Sequence, residues 1–547
     1  MLSTMQDEPL SLATLLRYGT TVHAEATVST WTGDRTRPMS YGDLGVEAAR
    51  LANALRGLGV EEGDRVGTFM WNNNEHMVVY GAVPAMGAVL HTLNIRLFPE
   101  QLIFVVNHAA DKVIIVDASL IPMFTEYLPS LPTVRHVIVA NGDASALEAP
   151  KGVEVHAYAE LVDGQADHFT WPHIDERSAA AMCYTSGTTG DPKGVAYSHR
   201  SMYLHSMQVT STNGMALSQA DKALVIVPQF HAMSWGIPHA ALMVGASLVM
   251  PDRFLQPEPI TTILAAEKPT FAAAVPTIWN GLLTYLDANP QDISHLREVV
   301  VGGSAAAPAL MHAFEERYQV PILHAWGMTE TSPLGSVARP PASAEGRHRW
   351  AYRYTQGRFP SLVRARLVDG DGAIVASDGN SVGELEVRGP WITATYYSPD
   401  DSAIDPEKFR DGWLRTGDIG TITVDGFLTI LDRSKDVIKS GGEWISSVEL
   451  ENAVMAHPAV AEAAVIGVPD DKWDERPLVA VVARQGTSVT VDELSDHLAN
   501  RVAKWQIPDS WTFVDEVPKT SVGKFDKKVL RARFAQGDLT VCGRSDA

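Results

Sequence analysis

Between residues 112 and 301 five short apolar runs (112–117, 136–140, 222–228, 271–276 and 298–301) recur, most of them separated by stretches of helical period. Runs spaced this far apart pair through crossovers rather than hairpins, and the parallel sheets that result need helices over their faces. The helical stretches carry their own signals. Ser40 with Asp43 has the form of a capping box, and Leu44, Ala48, Leu51, Ala52, Leu55 and Leu58 follow at helical spacing. The expected fold class is therefore α/β, with a large N-terminal domain of mixed, largely parallel sheets covered by helices.

A chain of 547 residues also exceeds one core, since single cores stop growing at roughly 250–300 residues. The grain changes after residue 431. Asp432-Arg433-Ser434-Lys435-Asp436 is wholly polar, and beyond it the pattern predicts a helix at 448–455 capped by Ser446 and Glu449. Strands at 460–468 and 478–483 follow, then a helix whose capping box is Thr490 with Glu493. The domains expected are 1–431, a hinge at 432–437, and a small α+β domain at 438–547. The stretch 340–357, rich in Arg, Ala and Tyr, reads as a long surface loop.

Charge and cysteine usage exclude several functions. There are 44 Lys and Arg against 65 Asp and Glu, a formal charge of −21, and so acidic a body repels nucleic acid and anionic lipid. Cys183 and Cys542 are the two cysteines, too few for a disulfide framework or a cysteine-rich metal site, and they favour a cytoplasmic location. No basic segment followed by an apolar stretch opens the chain, so no secretory signal is expected. The longest apolar run, 77–90, is interrupted by Gly81, Pro84 and Gly87 and falls short of the ~18 residues of a membrane span. It reads as a buried helix.

The segment richest in chemistry is Tyr184-Thr185-Ser186-Gly187-Thr188-Thr189-Gly190-Asp191-Pro192-Lys193-Gly194. Its successive hydroxyl and glycine positions, closed by a lysine, supply the backbone N–H groups, hydroxyl donors and cation that a polyphosphate needs. The spacing is not that of a Walker A loop. A surface turn is the bland alternative, and the apolar approach at 179–183 with the closing lysine weighs against it.

This segment resembles the signature of the adenylate-forming superfamily, which unites acyl-CoA synthetases, peptide-synthetase adenylation domains and beetle luciferases. Its other signatures follow in order along essentially the whole chain. The resemblance implies ATP, Mg²⁺ and coenzyme A as cofactor and co-substrates. In His324-Ala325-Trp326-Gly327-Met328-Thr329-Glu330-Thr331 it sets the aromatic along adenine, Thr329 at the α-phosphate, and Glu330 with Thr185 at the metal. Taken alone, Glu330 is an ordinary solvated acid in a first helical turn. The family commonly has glycine where Ala325 stands, so backbone geometry there is expected to differ slightly. Gly302-Gly303-Ser304 matches the turn beside the nucleotide, and Asp418 with Arg433 the ribose contacts. Lys435 and Lys439 lie four apart, as a solvated cationic pair also would. The resemblance places Lys439, Gly441, Gly442 and Trp444 at the acyl-adenylate and the CoA pantetheine, with Asp432 at the hinge.

Lys524, in Pro518-Lys519-Thr520-Ser521-Val522-Gly523-Lys524, matches the mobile lysine that bridges carboxylate and α-phosphate. The same stretch contains Ser-x-x-Lys, but the partner motifs of a penicillin-binding protein are missing. Finally, 228–235, with His231 and Trp235, resembles the acid-binding region of bacterial medium- and long-chain fatty acyl-CoA synthetases, where the aromatic gates an acyl tunnel. Catalysis is thus expected from Lys524, Lys439, Lys193 and His231. The expected activity is fatty acid–CoA ligation through an acyl-adenylate, with a fatty acid, ATP and CoA as partners and no nucleic acid. A CoA ligase for an aryl or other carboxylic acid and an adenylation enzyme loading a carrier protein stand as alternatives. A homodimer is left open.

Overall fold

The parallel pattern is realised twice in the computed structural model, which describes residues 1, 3–185, 191–400, 402, 405–441, 443–499, 501–519 and 525–543. The chain divides into two compact units, Met1–Arg364 with Val387–Leu414, and Ala365–Glu386 with Arg415–Ala547. The division falls at Leu414/Arg415, and 365–386 joins the second unit.

In the first unit a seven-stranded sheet runs Glu154–Ala157, His136–Ala140, Val113–Asp117, Arg65–Phe69, Val89–Thr92, Ala179–Tyr184, Gly194–Ser198, parallel except for the last pair. A second set of parallel strands runs Ile322–Gly327, Glu298–Val301, Phe271–Ala274, Lys222–Leu224, Ser247–Met250, Thr27–Trp31. One continuous core takes Val66, Val113 and Ala181 from the first sheet and Leu248, Phe271 and Val300 from the second. The helices Tyr41–Gly57 and Asn74–Ala85 contribute to that core, the second buried on nearly every side, as a helix that is apolar all round must be.

Two expectations need correction. The run 77–90 is not one helix: the helix ends at Ala85, Gly87 turns the chain at φ 87°, and Val89–Thr92 is a strand beside Arg65–Phe69. Glycine closes the helix because it adopts this left-handed conformation without a Cβ clash. Apolar content alone does not separate a buried helix from a buried strand. The stretch 340–357 is not a loop throughout, since Gly346–Tyr354 is helical. Arg349 and Arg353, one turn apart, both pair with Glu315. Trp350 stacks on His312 at 3.9 Å between ring centroids. The helical period was carried by cation and ring contacts rather than by aliphatic residues.

In the second unit Asp418–Ile422 of the strand Leu414–Ile422 pairs antiparallel with Phe427–Arg433. A separate sheet holds the hairpin Val460–Asp470 with Asp474–Ala483, joined by Ser510–Phe513 and by Ile438–Ser440. Both expected caps are present: Ser446 Oγ accepts from the Glu449 N–H at 3.1 Å, and Thr490 and Glu493 bond each other reciprocally as a full capping box. No helix among the described residues is long and apolar enough to cross a membrane.

Candidate active site

Strand Ala179–Tyr184 turns back into Gly194–Ser198, and the mouth of the connecting loop is tied shut. The Thr185 N–H donates to the Lys193 carbonyl at 3.0 Å, and the Lys193 N–H donates to Thr185 Oγ1 at 3.1 Å. Ser186, Gly187, Thr188, Thr189 and Gly190 lie outside the described residues. Lys193 Nζ donates to Asp405 Oδ2 at 2.7 Å and lies 4.9 Å from the centre of the Tyr396 ring. The Tyr396 hydroxyl donates to Glu330 Oε1 at 2.6 Å, and the Tyr197 hydroxyl to the Thr329 carbonyl at 2.8 Å. Two tyrosines thus draw Lys193, Thr329 and Glu330 into one cluster.

Glu330 is only 5% exposed, which is not the state of a solvated first-turn acid. Burial, and then the Glu330 charge, push the Tyr396 phenol well up, so it remains a proton donor to the carboxylate. A buried carboxylate fixed by a donor on one oxygen fits the oxygen-only ligation of Mg²⁺. A cleft of about 610 Å³ opens alongside, lined by Tyr197, Ser201, Ser332, Trp391, Tyr396 and Tyr397. Tyr197, Tyr396 and Asp405 were not singled out from the sequence. Tyr197 lies just past the signature segment, and the other two sit in a stretch without periodicity.

The adjoining part of the site gathers on strand ends. Gly302, Gly303 and Ser304 follow the strand Glu298–Val301. A Cβ at Gly302 would lie 3.0 Å from the tip of the Trp235 indole and 3.4 Å from the Ala325 carbonyl, so only glycine lets the ring lie against the backbone. His324, Ala325 and Trp326 belong to Ile322–Gly327. His324 is buried, its Nδ1 has no hydrogen-bond partner among the described residues, and desolvation pushes its pKa down to about 4. Ala325 sits in regular pairing with Val337, before the register shift at Trp326/Gly327, and its φ is not left-handed. Its methyl therefore costs the backbone nothing. At Gly327 a Cβ would fall 1.9 Å from the Pro333 carbonyl oxygen, and the Met328 N–H donates to Thr331 Oγ1 at 2.9 Å.

Trp235 stands on an unusual turn. Ala232, Met233, Ser234, Trp235 and Gly236 have φ of 43°, 53°, 51°, 55° and 75°, five left-handed residues in succession. Left-handed helical backbone costs an L-residue about 1–2 kcal/mol. The turn is held by the Ser234 hydroxyl, which donates to the Val227 carbonyl at 2.7 Å, and by the His231 N–H, which donates to that of Pro228 at 2.9 Å. All five residues are buried. Ala232→Gly should therefore leave stability unchanged or raise it by up to about 1 kcal/mol, because relief of strain offsets the lost methyl. Ala232→Val should cost about 2 kcal/mol or more. Equal melting temperatures for the two variants would contradict the strain.

In the second unit Asp418 and Arg433 face each other across the antiparallel pair, with Arg433 Nε 2.8 Å from Asp418 Oδ1. Asp418 is buried, and its N–H donates to Thr416 Oγ1 at 3.0 Å. Asp432 is buried as well: Oδ2 accepts from the Ser447 N–H at 2.5 Å and Oδ1 from the Arg433 N–H at 2.7 Å. Desolvation pushes its pKa up, against the pull of Lys527. At the other end of the polar run Arg531 donates to the Lys435 carbonyl at 3.1 Å and to Asp436 Oδ1 at 2.8 Å. The helix Lys527–Gln536 therefore holds both ends of 432–436.

Lys439 has its side chain exposed on Ile438–Ser440, opposite Trp444, and its N–H donates to Glu475 Oε2 at 2.9 Å. Gly441 has φ 61°, and a Cβ there would meet the Trp473 ring at 2.6 Å. Gly442 and Lys524 lie outside the described residues.

Comparison with known proteins agrees over the whole chain. The family model described as AMP-binding enzyme matches residues 18–397, and that described as AMP-binding enzyme C-terminal domain matches 449–524. The chain is 41% identical to a 3-methylmercaptopropionyl-CoA ligase of Ruegeria lacuscaerulensis, over 98% of its own length and 99% of the relative's. It is 43% identical to a long-chain-fatty-acid–CoA ligase of Thermus thermophilus, over 97% of each. Its fold matches the crystal structure of an anthranilate CoA ligase in complex with anthranoyl-AMP with a TM-score of 0.86, at 25% identity, over 98% of this chain and 100% of that one.

Proposed function

We propose, for a chain that belongs to the AMP-binding enzyme family, that the acid it activates is a medium- to long-chain fatty acid. The chain is an AMP-forming acid–thiol ligase: it uses ATP, Mg²⁺ and CoA to make an acyl-CoA by way of an acyl-adenylate. The observation that carries the fatty-acid reading is the acid-binding segment. From Pro228 to Gly236 it contains no Asp or Glu that would grip a polar substrate head. Its largest ring, Trp235, is buried against Gly302 on the left-handed turn, at the position where the resemblance has an aromatic gate an acyl tunnel.

The first step joins a carboxylate oxygen to the α-phosphorus and breaks the bond to pyrophosphate, which leaves. Two anions must meet, so cations are required. Lys193 serves at the phosphate loop, and Lys524 bridges carboxylate and α-phosphate. Thr185 and Glu330 would hold Mg²⁺, which offsets phosphate charge when bound. The ring of Trp326 lies along adenine, the 302–304 turn beside it, and Asp418 with Arg433 holds the ribose. In the second step the CoA thiolate attacks the acyl carbon and AMP leaves. Before that second step, movement about 432–437 exchanges Lys524 for the strand bearing Lys439, with Gly441, Gly442 and Trp444 along the pantetheine. The enzyme acts in the cytoplasm; a homodimer would show in light scattering as twice the chain mass.

Trp235→Ala tests the assignment. An open channel should change the ranking of hexanoate, decanoate and palmitate by kcat/KM and raise KM for acids, while the melting temperature falls modestly. A parallel loss for all three acids, with a stability loss of about 3–5 kcal/mol, would make Trp235 core packing and end the gate reading. Faster pyrophosphate release with benzoate than with any of the three would replace the fatty acid by an aryl acid.

A further inference from the structure

At the edge of the seven-stranded sheet three side chains converge that acid activation does not use. His136 opens the strand His136–Ala140, while Glu154 and His156 lie two apart on the outermost strand Glu154–Ala157. The strands pair in parallel with His136 opposite Glu154 and Ile138 opposite His156. The two-residue period of a strand puts Glu154 and His156 on one face, and the register sets His136 beside them.

Nδ1 of His136 lies 3.2 Å from Nε2 of His156 and 3.6 Å from Oε2 of Glu154. Nε2 of His156 lies 3.8 Å from the same oxygen. Around a tetrahedral Zn²⁺, with ligand bonds of roughly 2.0–2.2 Å, neighbouring ligand atoms lie about 3.3–3.6 Å apart. The three atoms already outline one face of such a tetrahedron. We propose that His136, Glu154 and His156 bind one Zn²⁺ ion, with water in the remaining position, and that the ion staples the outermost strand to the sheet.

The chemistry suits a borderline metal. Two imidazoles and one carboxylate, without a thiolate, select Zn²⁺ over the hard ions Mg²⁺ and Ca²⁺. The rings are mostly covered, with 16% and 21% of their side chains exposed, whereas Glu154 is 70% exposed and leaves a path for the ion. Burial lowers the pKa of His136, with His156 and Lys112 acting in the same sense and Glu154 against them. A neutral ring is the ligating form. A sheet edge is also where a strand has a partner on one side only, so a cross-strand link adds most there.

The test uses the full-length protein, stripped with EDTA and titrated with ZnCl₂ in a calorimeter, beside the double variant His136→Ala/His156→Ala. The wild type should bind one Zn²⁺ more per chain than the variant, and Zn²⁺ should raise the melting temperature of the wild type alone. Co²⁺ should give visible absorption bands of tetrahedral type that the variant lacks. Glu154→Gln, at an exposed carboxylate that folding does not need, should weaken binding about tenfold or more. Equal Zn²⁺ stoichiometry and affinity in the wild type and Glu154→Gln, or no Zn²⁺ uptake by the wild type, would overturn the site and leave a hydrogen-bonded histidine pair.

Discussion

Lys524→Ala is expected to slow acyl-adenylate formation by ~10²–10³-fold, the usual cost of removing one positioned charge-stabilising group from a transition state, about 3–4 kcal/mol. The carboxylate and the α-phosphate are both anionic, and no neutral side chain offsets their repulsion. Thioester formation from chemically supplied acyl-AMP should proceed at close to the wild-type rate, because the bond to phosphorus has already been made. The measurement is pyrophosphate release in the first half-reaction and acyl-CoA appearance in the second, on protein of unchanged melting temperature. Equal losses in both half-reactions would refute the division of labour between Lys524 and the Lys439 strand.

The second large effect is on folding. Desolvation holds His76, His199, His239 and His324 near pKa 4 and His205 near 3. Several are committed to the neutral form as acceptors: His199 Nδ1 takes the Leu12 N–H at 3.2 Å, and His205 Nε2 the Leu334 N–H at 3.0 Å. In the unfolded chain each titrates near 6.5. Below that pH the unfolded chain binds protons that the folded one refuses, so stability falls as pH drops from about 6.5 towards 4. By pH 5 each ring has removed about 1–2 kcal/mol. Asp117, raised to about 6 by burial, works in the opposite sense, and burial likewise raises Asp111, Asp252, Asp432 and Glu451. These carboxyls offset part of the loss, while the five rings alone sum to an amount comparable with a typical folding stability of about 5–15 kcal/mol. Urea unfolding followed by circular dichroism should show a midpoint that collapses between pH 6.5 and 5. A flat midpoint over that range would mean that these rings are solvated.

The parts of the fold legible in the sequence are those in which one segment states its own environment. Strands of a doubly covered parallel sheet are continuous apolar runs, and 136–140 and 298–301 appear as read. Ser40, Ser446 and Thr490 announce their helices because capping is a contact three residues long. What escaped depends on distant partners. Asp405 meets Lys193 across 212 residues, and Tyr396 meets Glu330 across 66. The helix Gly346–Tyr354 packs by arginine and rings. Nothing in Ala-Met-Ser-Trp signals left-handed backbone, since glycine enters only at Gly236, after the turn has been made.

The pairing of Lys193 with Asp405 bears on the phosphate role proposed for that lysine. A tethered carboxylate is a competitor that never diffuses away, so an incoming anion must outbid it before it gains the lysine. A chloride brings one contact and has little with which to do so. A triphosphate brings many oxygens at once, and it exchanges one half-exposed ion pair, which is worth little in water, for several hydrogen bonds. On the phosphate role proposed for Lys193, Asp405 is therefore the partner that this lysine gives up when ATP arrives.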